Sequence, residues 1–333
     1  MSTVFDCSVN NNRKIHRRSD ILNLIDFHCD TIYKLRKEPY ENLRKNSLSV
    51  DISKLKSSGS IAQFFALYID LAETKDPFDE FMRMEKIFKN ELAVNSDVLR
   101  FSGSFAELME NQKNGFISSF LTVEEGAALE GKIANLSELQ RLGVRLITLT
   151  WNYPNEIGYP NFKGKYADMG LTDFGCEVVE AMNHYNMIVD VSHLSDRGFY
   201  DVSEVSKKPF MASHSNARSI TGNLRNLTDE MIAILGNKGG LVGINFEKTF
   251  LGNSEYGRIS EMMRHIDHIR NVGGIEVLAI GSDFDGIETP AEISDISQMG
   301  KLLRALGEKG YTETEIEKIF YRNGLRFIRD TLS

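Results

Sequence analysis

Residues 22–30 have the sequence LNLIDFHCD, an apolar run that ends directly in His28, Cys29 and Asp30. Seven further short apolar runs follow, separated by longer segments with helical periodicity. The eight runs are LNLIDFH (22–28), IAQFFALYI (61–69), GFISSFLTVE (115–124), VRLITLTW (144–151), MIVDVSH (187–193), PFMASH (209–214), GLVGINF (240–246) and EVLAIGSDFDG (276–286). Mostly apolar runs of this length are typical of buried parallel strands. Eight of them alternating with helices predict an α/β fold, a (β/α)8 TIM-type barrel with extra C-terminal helices.

The segments between the runs have the pattern expected of the outer helices. Apolar side chains recur every three to four positions in residues 171–185, at Leu171, Phe174, Val178, Met182 and Tyr185. Residues 311–320, YTETEIEKIF, contain a capping box formed by Thr312 and Glu315. No linker rich in Pro, Gly or Ser divides the chain. We expect a single barrel domain over residues 21–333, preceded by an N-terminal extension, residues 1–20, that is flexible or packed on the surface.

Composition excludes several classes of function. The net charge of −8 argues against nucleic acid as the main partner, since phosphate binding needs a concentrated basic surface, and a small molecule or peptide fits better. Three cysteines, Cys7, Cys29 and Cys176, are too few for a disulfide framework, which favours a reducing, cytoplasmic location. No apolar run approaches the roughly 18 to 20 residues that span a bilayer, and the amino terminus has no apolar segment for secretion. We therefore expect no membrane partner.

Polar side chains gather at the ends of the predicted strands, the face that holds the active site in this fold. They are His28, Asp30, Glu124, Trp151, Asn152, His193, His214, Asp283 and Asp285. Only seven histidines exist in the chain, and three of them end a predicted strand. Histidine and carboxylate ligands without cysteine suit zinc, and manganese, cobalt or iron less specifically. The set suffices for two ions if one carboxylate bridges them.

Each of these residues also has an ordinary structural interpretation. A single histidine at a strand end is more often a hydrogen-bonded structural residue than a ligand, and Asp283 and Asp285 could merely shape a turn beside glycine. Glu124 and Glu125 could be a solvated pair that opens a helix, although Glu124 ends an apolar run and Glu125 is expected to face away. The joint pattern favours a metal site. Asp30, two residues after His28, projects to the same side of an extended strand.

Eight motifs occur in order over nearly the whole chain after residue 21. They are DFHCDT (26–31), TVEEGAALEG (122–131), LGVRLITLTWN (142–152), GLTDFG (170–175), IVDVSH (188–193), SHSNAR (213–218), NLRN (223–226) and GSDFDG (281–286). Together they resemble the renal or membrane dipeptidases, a family of zinc peptidases among the amidohydrolase-like barrels, and its soluble bacterial members in particular. Related barrels such as deaminases usually begin with H-x-H, whereas this chain has H-x-D.

The resemblance implies a role for each matching residue. His28 and Asp30 would bind one zinc ion and His193 and His214 a second, with Glu124 bridging the two Zn²⁺ beside a water or hydroxide. Asp283 matches the acid that handles protons. Arg225 matches the arginine that grips the terminal carboxylate of the substrate. Trp151 stands where the mammalian members have a histidine that contacts the substrate, and we expect Trp151 and Asn152 to bind substrate.

The expected function is that of a metallo-dipeptidase, which hydrolyses dipeptides, including those with a C-terminal D-residue, through a hydroxide that bridges two zinc ions. The expected partner is a small dipeptide, and a homodimer is left open. One alternative is an N-acyl amino acid or lactam hydrolase, which would share the metal pair and Arg225. An alternative from another class is a metal-stabilised binding protein without turnover.

Overall fold

The computed structural model describes residues 22–38 and 40–333; the predicted extension of residues 1–20, with Cys7 and His16, lies outside the described residues. The strands are β1 (Leu24–Cys29), β2 (Ser60–Tyr68), β3 (Leu99–Phe101), β4 (Ile117–Glu124), β5 (Val144–Thr148), β6 (Ile188–Asp190), β7 (Met211–Ala212), β8 (Leu241–Ile244) and β9 (Leu278–Ile280). The helices are α1 (Thr31–Lys37), α2 (Ile52–Ser58), α3 (Pro77–Val94), α4 (Phe105–Lys113), α5 (Ile133–Leu142), α6 (Asp173–His184), α7 (Asp196–Val205), α8 (Asp229–Asn237), α9 (Lys248–Leu251), α10 (Ile259–Gly273), α11 (Gly300–Glu308), α12 (Glu313–Glu317) and α13 (Asn323–Thr331). Short 3₁₀ turns lie at Gly126–Leu129, Phe162–Gly164, Ile275–Val277 and Ile296–Gln298, and Lys318–Arg322 form a π-helical turn between α12 and α13.

Eight parallel strands close into a barrel in the order β2-β1-β9-β8-β7-β6-β5-β4, and β4 returns to β2 along seven residue pairs from Ala62↔Ser118 to Tyr68↔Glu124. Each predicted run overlaps one of these strands, so the predicted (β/α)8 barrel with extra C-terminal helices is confirmed. Strand β3, which no predicted run covers, pairs with Ile117–Ser119 at the start of β4. A three-residue strand is too short for alternation or an apolar run to reveal it.

The interior of the barrel is filled by apolar side chains to which every barrel strand contributes. The ring of Phe64 lies 4.6 Å from that of Phe27 and 4.4 Å from that of Phe120, measured between centroids. Helix α13 adds Phe327 to the same cluster, in an edge contact 6.2 Å from Phe27. The C-terminal helix therefore closes the end of the barrel opposite to the strand ends that carry the polar residues.

An irregularity in β1 decides which way its last residues face. Asp26 pairs with Gln63 and Cys29 with Phe65, so β1 advances three residues where β2 advances two. Such a bulge shifts the alternation of side chains by one position. Phe27 can thus fill the barrel interior while the next residue, His28, also faces inward, toward the barrel mouth.

The outer helices have the ends that their sequences predict. The side chain of Thr172 accepts a hydrogen bond from the backbone N–H of Gly175 at the start of α6, and Thr312 and Glu315 form the predicted capping box on α12. Within the described ranges, 22–38 and 40–333, no helix is both long and apolar enough to cross a bilayer.

Candidate metal centre

The carboxylate of Glu124, at the last position of β4, lies among three histidines. Its Oε2 is 3.4 Å from Nε2 of His28, and its Oε1 is 3.1 Å from Nε2 of His193 and 3.4 Å from Nε2 of His214. The two oxygens of Glu124 therefore face different histidines. All four side chains are at most 9% exposed. The structure thus brings together residues that are as far apart in the sequence as His28 and His214.

The half of the cluster around His28 contains further acids. Asp30 Oδ2 lies 3.4 Å and Asp283 Oδ1 3.9 Å from Nε2 of His28. Ligand atoms of His28, Glu124 and His214 lie within 4.8 Å of one another, and so do those of His28, Asp30 and Asp283. The predicted ligands are therefore close enough to share one or more ions.

Two observations show that this cluster suits cations. Among the described residues, both ring nitrogens of His28 and Oδ1 of Asp30 are buried without a hydrogen-bond partner, which is costly unless another group satisfies them. In the other half, Nε2 of His193 and Nε2 of His214 lie only 3.1 Å apart beside a carboxylate oxygen. Nitrogen lone pairs that converge in this way fit a metal ion better than they fit one another.

The electrostatics of the cluster agree with that interpretation. Burial, helped by the positive charge of Arg225, lowers the pKa of His193 to about 4, and burial also holds the pKa of His214 well below its usual range. Both rings are then neutral, which is the state that binds metal. Burial opposes charge on Glu124 as well, but His28 and the histidine hydrogen bonds outweigh it and hold the pKa of that carboxyl well below normal.

The acids beside His28 carry the opposite shift. Burial raises the pKa of Asp30 to about 6 and that of Asp283 to about 8, in each case reinforced by the charge of Glu124 and opposed by His28. The buried carboxyl groups of Asp30, Glu124 and Asp283 therefore repel one another when all three are ionised. A divalent cation supplies positive charge and favours the ionised form of each acid.

Asp283 is held in a defined orientation by a residue that the sequence analysis did not single out. Nδ2 of Asn245, just beyond β8, donates a 2.9 Å hydrogen bond to Oδ2 of Asp283, and the backbone N–H of Asp283 donates to the carbonyl oxygen of His28 at 3.2 Å. Oδ1 is left facing the cluster. Only a contact across two strands reveals this role of Asn245, because in sequence it is one more polar residue after an apolar run.

The backbone around the centre is strained. His193, Asp283 and Asp285 have φ values of 67°, 64° and 68°, and Glu125 has a φ of 113°. Such conformations are unfavourable for residues other than glycine, and they persist only where surrounding contacts over-determine them. Asp285 is tied by Thr31 Oγ1 at 2.6 Å and by the backbone N–H of Ser49 at 2.7 Å, so it shapes the turn that carries Asp283.

A cavity of about 810 Å³ opens over the cluster at the C-terminal ends of the strands. Its lining combines aromatic and charged side chains, among them Tyr33, Lys34, Tyr68, Asp70, Glu73, Trp151, Asn152, Lys163, Glu247, Phe250, Asp283 and Glu288. Asp30, Glu124 and His193 also border it. The centre is therefore accessible to a small ligand from this side.

Trp151 and Asn152 lie in the loop after β5, a few residues beyond the strand end at Thr148, and both line the cavity. The ring of Trp151 packs edge to face against Tyr68, with centroids 4.8 Å apart, and lies 6.2 Å from the ring of His193. Oδ1 of Asn152 lies 3.4 Å from Nδ1 of His193. The predicted strand thus ran three residues too far, but both residues reach the mouth of the barrel.

Glu125 points away from the histidines, as expected, but it is buried, not solvated. Its carboxylate accepts hydrogen bonds from the backbone N–H of Ala127 at 2.8 Å, from that of Trp151 at 3.0 Å and from Nδ2 of Asn155 at 2.5 Å. Glu125 therefore holds the loop that presents Trp151 to the cavity. Of the two adjacent glutamates, Glu124 belongs to the cluster and Glu125 supports the loop.

Arg225 lies beside the centre but does not line the cavity. The neighbouring side chain of Phe250 lines it instead. The guanidinium of Arg225 lies 5.3 Å from the centroid of the Phe250 ring; Nη1 donates to Ser215 Oγ and Nη2 to the carbonyl oxygen of His214, each at 3.0 Å. Its Nε is buried and has no hydrogen-bond partner within residues 22–38 and 40–333. Of the five N–H donors of arginine, three remain available.

The comparisons with known proteins agree with this arrangement. A model of the membrane dipeptidase family, peptidase family M19, matches residues 11–332. An uncharacterized dipeptidase of Schizosaccharomyces pombe is 30% identical over 333 residues, which cover 92% of this chain and 80% of the yeast protein. Dipeptidase 3 of Mus musculus is 31% identical over 318 residues, which cover 92% of this chain and 64% of the mouse protein.

A crystal structure of a metallopeptidase from Rhodobacter sphaeroides, liganded with a phosphinate mimic of the dipeptide L-Ala-D-Ala, superimposes with a TM-score of 0.87 at 25% identity. The superposition covers 94% of this chain and the whole of the bacterial one. The chain therefore belongs to the membrane dipeptidase family, peptidase family M19, and is a metal-dependent hydrolase of peptide bonds.

Proposed function

We propose that the chain hydrolyses dipeptides at a pair of divalent ions, zinc by preference, bridged by Glu124. His28, Asp30 and Glu124 Oε2 would hold one ion, and His193, His214 and Glu124 Oε1 the other. The observation that carries this proposal is that the two oxygens of Glu124 face different sets of histidines. When bound, such a pair polarises the scissile carbonyl group and lowers the pKa of the attacking water.

Arg225 supports recognition of a free carboxylate. It is buried, and among the described residues its guanidinium donates only to Ser215 Oγ and to the carbonyl oxygen of His214, so three of its N–H donors remain available. Burial is unfavourable for its charge, and the charges of Asp283, Glu124 and Asp190 offset this only in part, so an anionic ligand at this point is stabilised by Arg225. We infer that the C-terminal carboxylate of the dipeptide binds here, with a small shift of Phe250 opening the path from the cavity.

The rest of the cavity favours a free amino end over an acylated one. Asp70, Glu73, Glu247 and Glu288 all line it, in addition to the acids of the metal cluster, whereas Lys34 and Lys163 are the lysines at its wall. This excess of negative charge attracts an ammonium group. It gives no comparable advantage to an N-acyl amino acid, so the dipeptide is the better substrate class.

We infer that Asp283 moves the proton. Asn245 occupies Oδ2, so Oδ1, which faces the cluster and the cavity, is the oxygen that accepts a proton from the attacking water and delivers it to the leaving amine. Asn152 would orient the ring of His193 and contact the substrate. Trp151 either donates its indole N–H to the developing oxyanion or forms an apolar wall.

We further propose that dipeptides with a C-terminal D-residue are accepted, by analogy with the Rhodobacter relative and its L-Ala-D-Ala mimic. The test is metal analysis of the purified protein, followed by hydrolysis assays on L-Ala-L-Ala, L-Ala-D-Ala and N-acetyl-D-Ala. We expect two ions per chain and turnover of both dipeptides. Preference for the N-acetyl compound would instead support an N-acyl amino acid hydrolase, and zinc-loaded protein without any turnover would support a binding protein.

A further inference from the structure

A chain of buried hydrogen bonds leads from the end of β6 to the ring of His214. Oδ2 of Asp190 accepts from Ser213 Oγ at 2.5 Å and from Thr148 Oγ1 at 2.7 Å, while Oδ1 accepts from the backbone N–H groups of Ser192 and Ser213, each at 2.9 Å. Ser213 Oγ in turn lies 2.7 Å from Nδ1 of His214. Asp190, Ser213 and His214 are at most 1% exposed.

The directions of these bonds follow from counting hydrogens. A carboxylate only accepts, and a serine hydroxyl has one hydrogen to donate. Because the short contact to Asp190 uses that hydrogen, Ser213 Oγ must act as the acceptor toward His214, and Nδ1 of His214 must carry the proton. Nε2 then presents a lone pair, and it is this nitrogen that faces Glu124 Oε1 at 3.4 Å and His193 Nε2 at 3.1 Å.

The interior of the barrel keeps this arrangement in place. A Cβ added to Gly243 or to Gly281 would lie 1.8 or 1.7 Å from the carbonyl oxygen of Ser213, so two neighbouring strands pack directly against this residue. The backbone N–H of His214 is also fixed, by Ser192 Oγ at 3.2 Å. The backbone of Ser213 is therefore held in place, and its hydroxyl is held by the hydrogen bond to Asp190.

His28 has no such support. Its ring stacks on that of His214 at 3.8 Å between centroids, but its Nδ1 is buried and finds no hydrogen-bond partner in the part of the chain that the structure describes. The motif of an acid and a serine recurs beside it, where Ser282 Oγ donates to Asp26 Oδ2 at 2.6 Å, yet this hydroxyl lies near the carbonyl oxygen of His28, not near its ring. Among the described residues, a hydrogen-bond partner on Nδ1 thus selects the tautomer of His214 but not that of His28.

We propose that Asp190 and Ser213 are positioning residues that select the Nδ1–H tautomer of His214 and so create the metal-binding face of its ring. A partner of this kind on the second nitrogen is a general feature of metal-binding histidines, and its loss typically costs about 10- to 100-fold in metal affinity. The effect on affinity rests on the proposed function, because it acts through an ion at this cluster. The tautomer itself is a property of the protein without metal.

Asp190→Asn is the variant expected to reverse the tautomer of His214. The backbone N–H groups of Ser192 and Ser213 retain the amide oxygen, so the NH₂ group replaces Oδ2 and donates to Ser213 Oγ. The serine hydrogen is then free to donate to Nδ1 of His214, which moves the ring proton to Nε2, the nitrogen that must face the ion. We expect a larger loss of zinc affinity than in Ser213→Ala, which leaves both tautomers accessible.

Thr148→Val is the matched control, because it removes a hydrogen bond to the same oxygen of Asp190 without a contact to the ring of His214. Zinc affinity is measured by competition with a chromophoric chelator for the parent and the three variants, after circular dichroism has shown which of them fold. We expect Thr148→Val to stay within about threefold of the parent and Ser213→Ala to lose about 10- to 100-fold. Equal affinities of Ser213→Ala and Thr148→Val would overturn the proposal.

A second measurement uses the parent protein, with Asp190 and Ser213 unchanged. With seven histidines in the chain, ¹⁵N-histidine labelling and long-range ¹H–¹⁵N spectra of the metal-free parent report the tautomer of each ring, and a spectrum of His214→Gln assigns the signal. We expect His214 as the Nδ1–H tautomer; the Nε2–H tautomer would overturn the proposal. Failure of the parent to bind divalent ions would refute the proposed function but not this assignment.

Discussion

Asn245 Nδ2 donates a 2.9 Å hydrogen bond to Oδ2 of Asp283, so the second oxygen of Asp283 is the one that faces His28 Nε2, at 3.9 Å. The acid is therefore fixed at one oxygen and free at the other. If Asp283 transfers a proton, as proposed, Oδ1 is the oxygen that does so, while the hydrogen bond at Oδ2 orients the side chain.

Asp283→Asn keeps the shape of the side chain but removes its basic oxygen. We expect kcat for L-Ala-D-Ala to fall by about 10² to 10⁴, the usual contribution of a positioned acid or base, with metal content close to that of the parent. Steady-state kinetics and metal analysis of the same preparation check this. Turnover near the parental level would exclude Asp283 from proton transfer.

Glu124→Ala removes the carboxylate that faces both sets of histidines. We expect the number of tightly held ions per chain to fall for both proposed sites, not for one, because one oxygen of Glu124 faces His28 and the other faces His193 and His214. Metal content after dialysis against a weak chelator checks this, with Glu125→Gln as a control for the neighbouring acid. Two ions retained by Glu124→Ala would contradict the bridge.

Arg225→Ala removes the buried guanidinium beside the cavity. Because a hydrogen bond to a charged group contributes about 1.5 to 3 kcal/mol, we expect KM for dipeptides to rise by about 10- to 100-fold with a smaller effect on kcat. Dipeptide amides, which lack the carboxylate, should be poor substrates of the parent and lose little more in the variant. If the parent used amides and acids equally well, the carboxylate would not bind at Arg225.

Trp151→Phe keeps most of the aromatic wall against Tyr68 and removes the indole N–H. If that N–H stabilises the oxyanion, kcat should fall by about 10² to 10³ while metal content is unchanged. We measure kcat for several dipeptides that differ in side-chain size. An unchanged kcat combined with an altered preference among these substrates would identify Trp151 as a wall of the cavity.

Phe64→Ala tests the packing of the barrel interior, because Phe64 lies between the rings of Phe27 and Phe120. Phe64 is fully buried, and we expect the free energy of unfolding to fall by about 3 to 5 kcal/mol, from lost apolar burial and the cavity left behind. Chemical denaturation of metal-free protein measures this without the contribution of bound ions. A loss below about 1 kcal/mol would mean that the interior rearranges around the missing ring.

Much of the fold could be predicted from local patterns. The runs around residues 61–69 and 115–124 are apolar enough to identify β2 and β4, and Thr312 with Glu315 marks the start of α12, because alternation, helical periodicity and capping involve only near neighbours in the chain. The candidate site followed from the same logic, since parallel strands in a barrel bring their carboxyl ends to one face. His28, Glu124 and His214 meet there for that reason.

What the tertiary structure decided are the contacts between residues far apart in sequence. The bulge that turns both Phe27 and His28 inward depends on how β1 pairs with β2, and the burial of Glu125 depends on the loop that carries Trp151. Two further contacts join the ends of different strands. One is the hydrogen bond from Asn245 to Asp283, and the other is the chain of hydrogen bonds from Asp190 through Ser213 to His214. Such partners are set by register and packing across the barrel, which no local pattern encodes, whereas the type and the order of the elements are set by each segment itself.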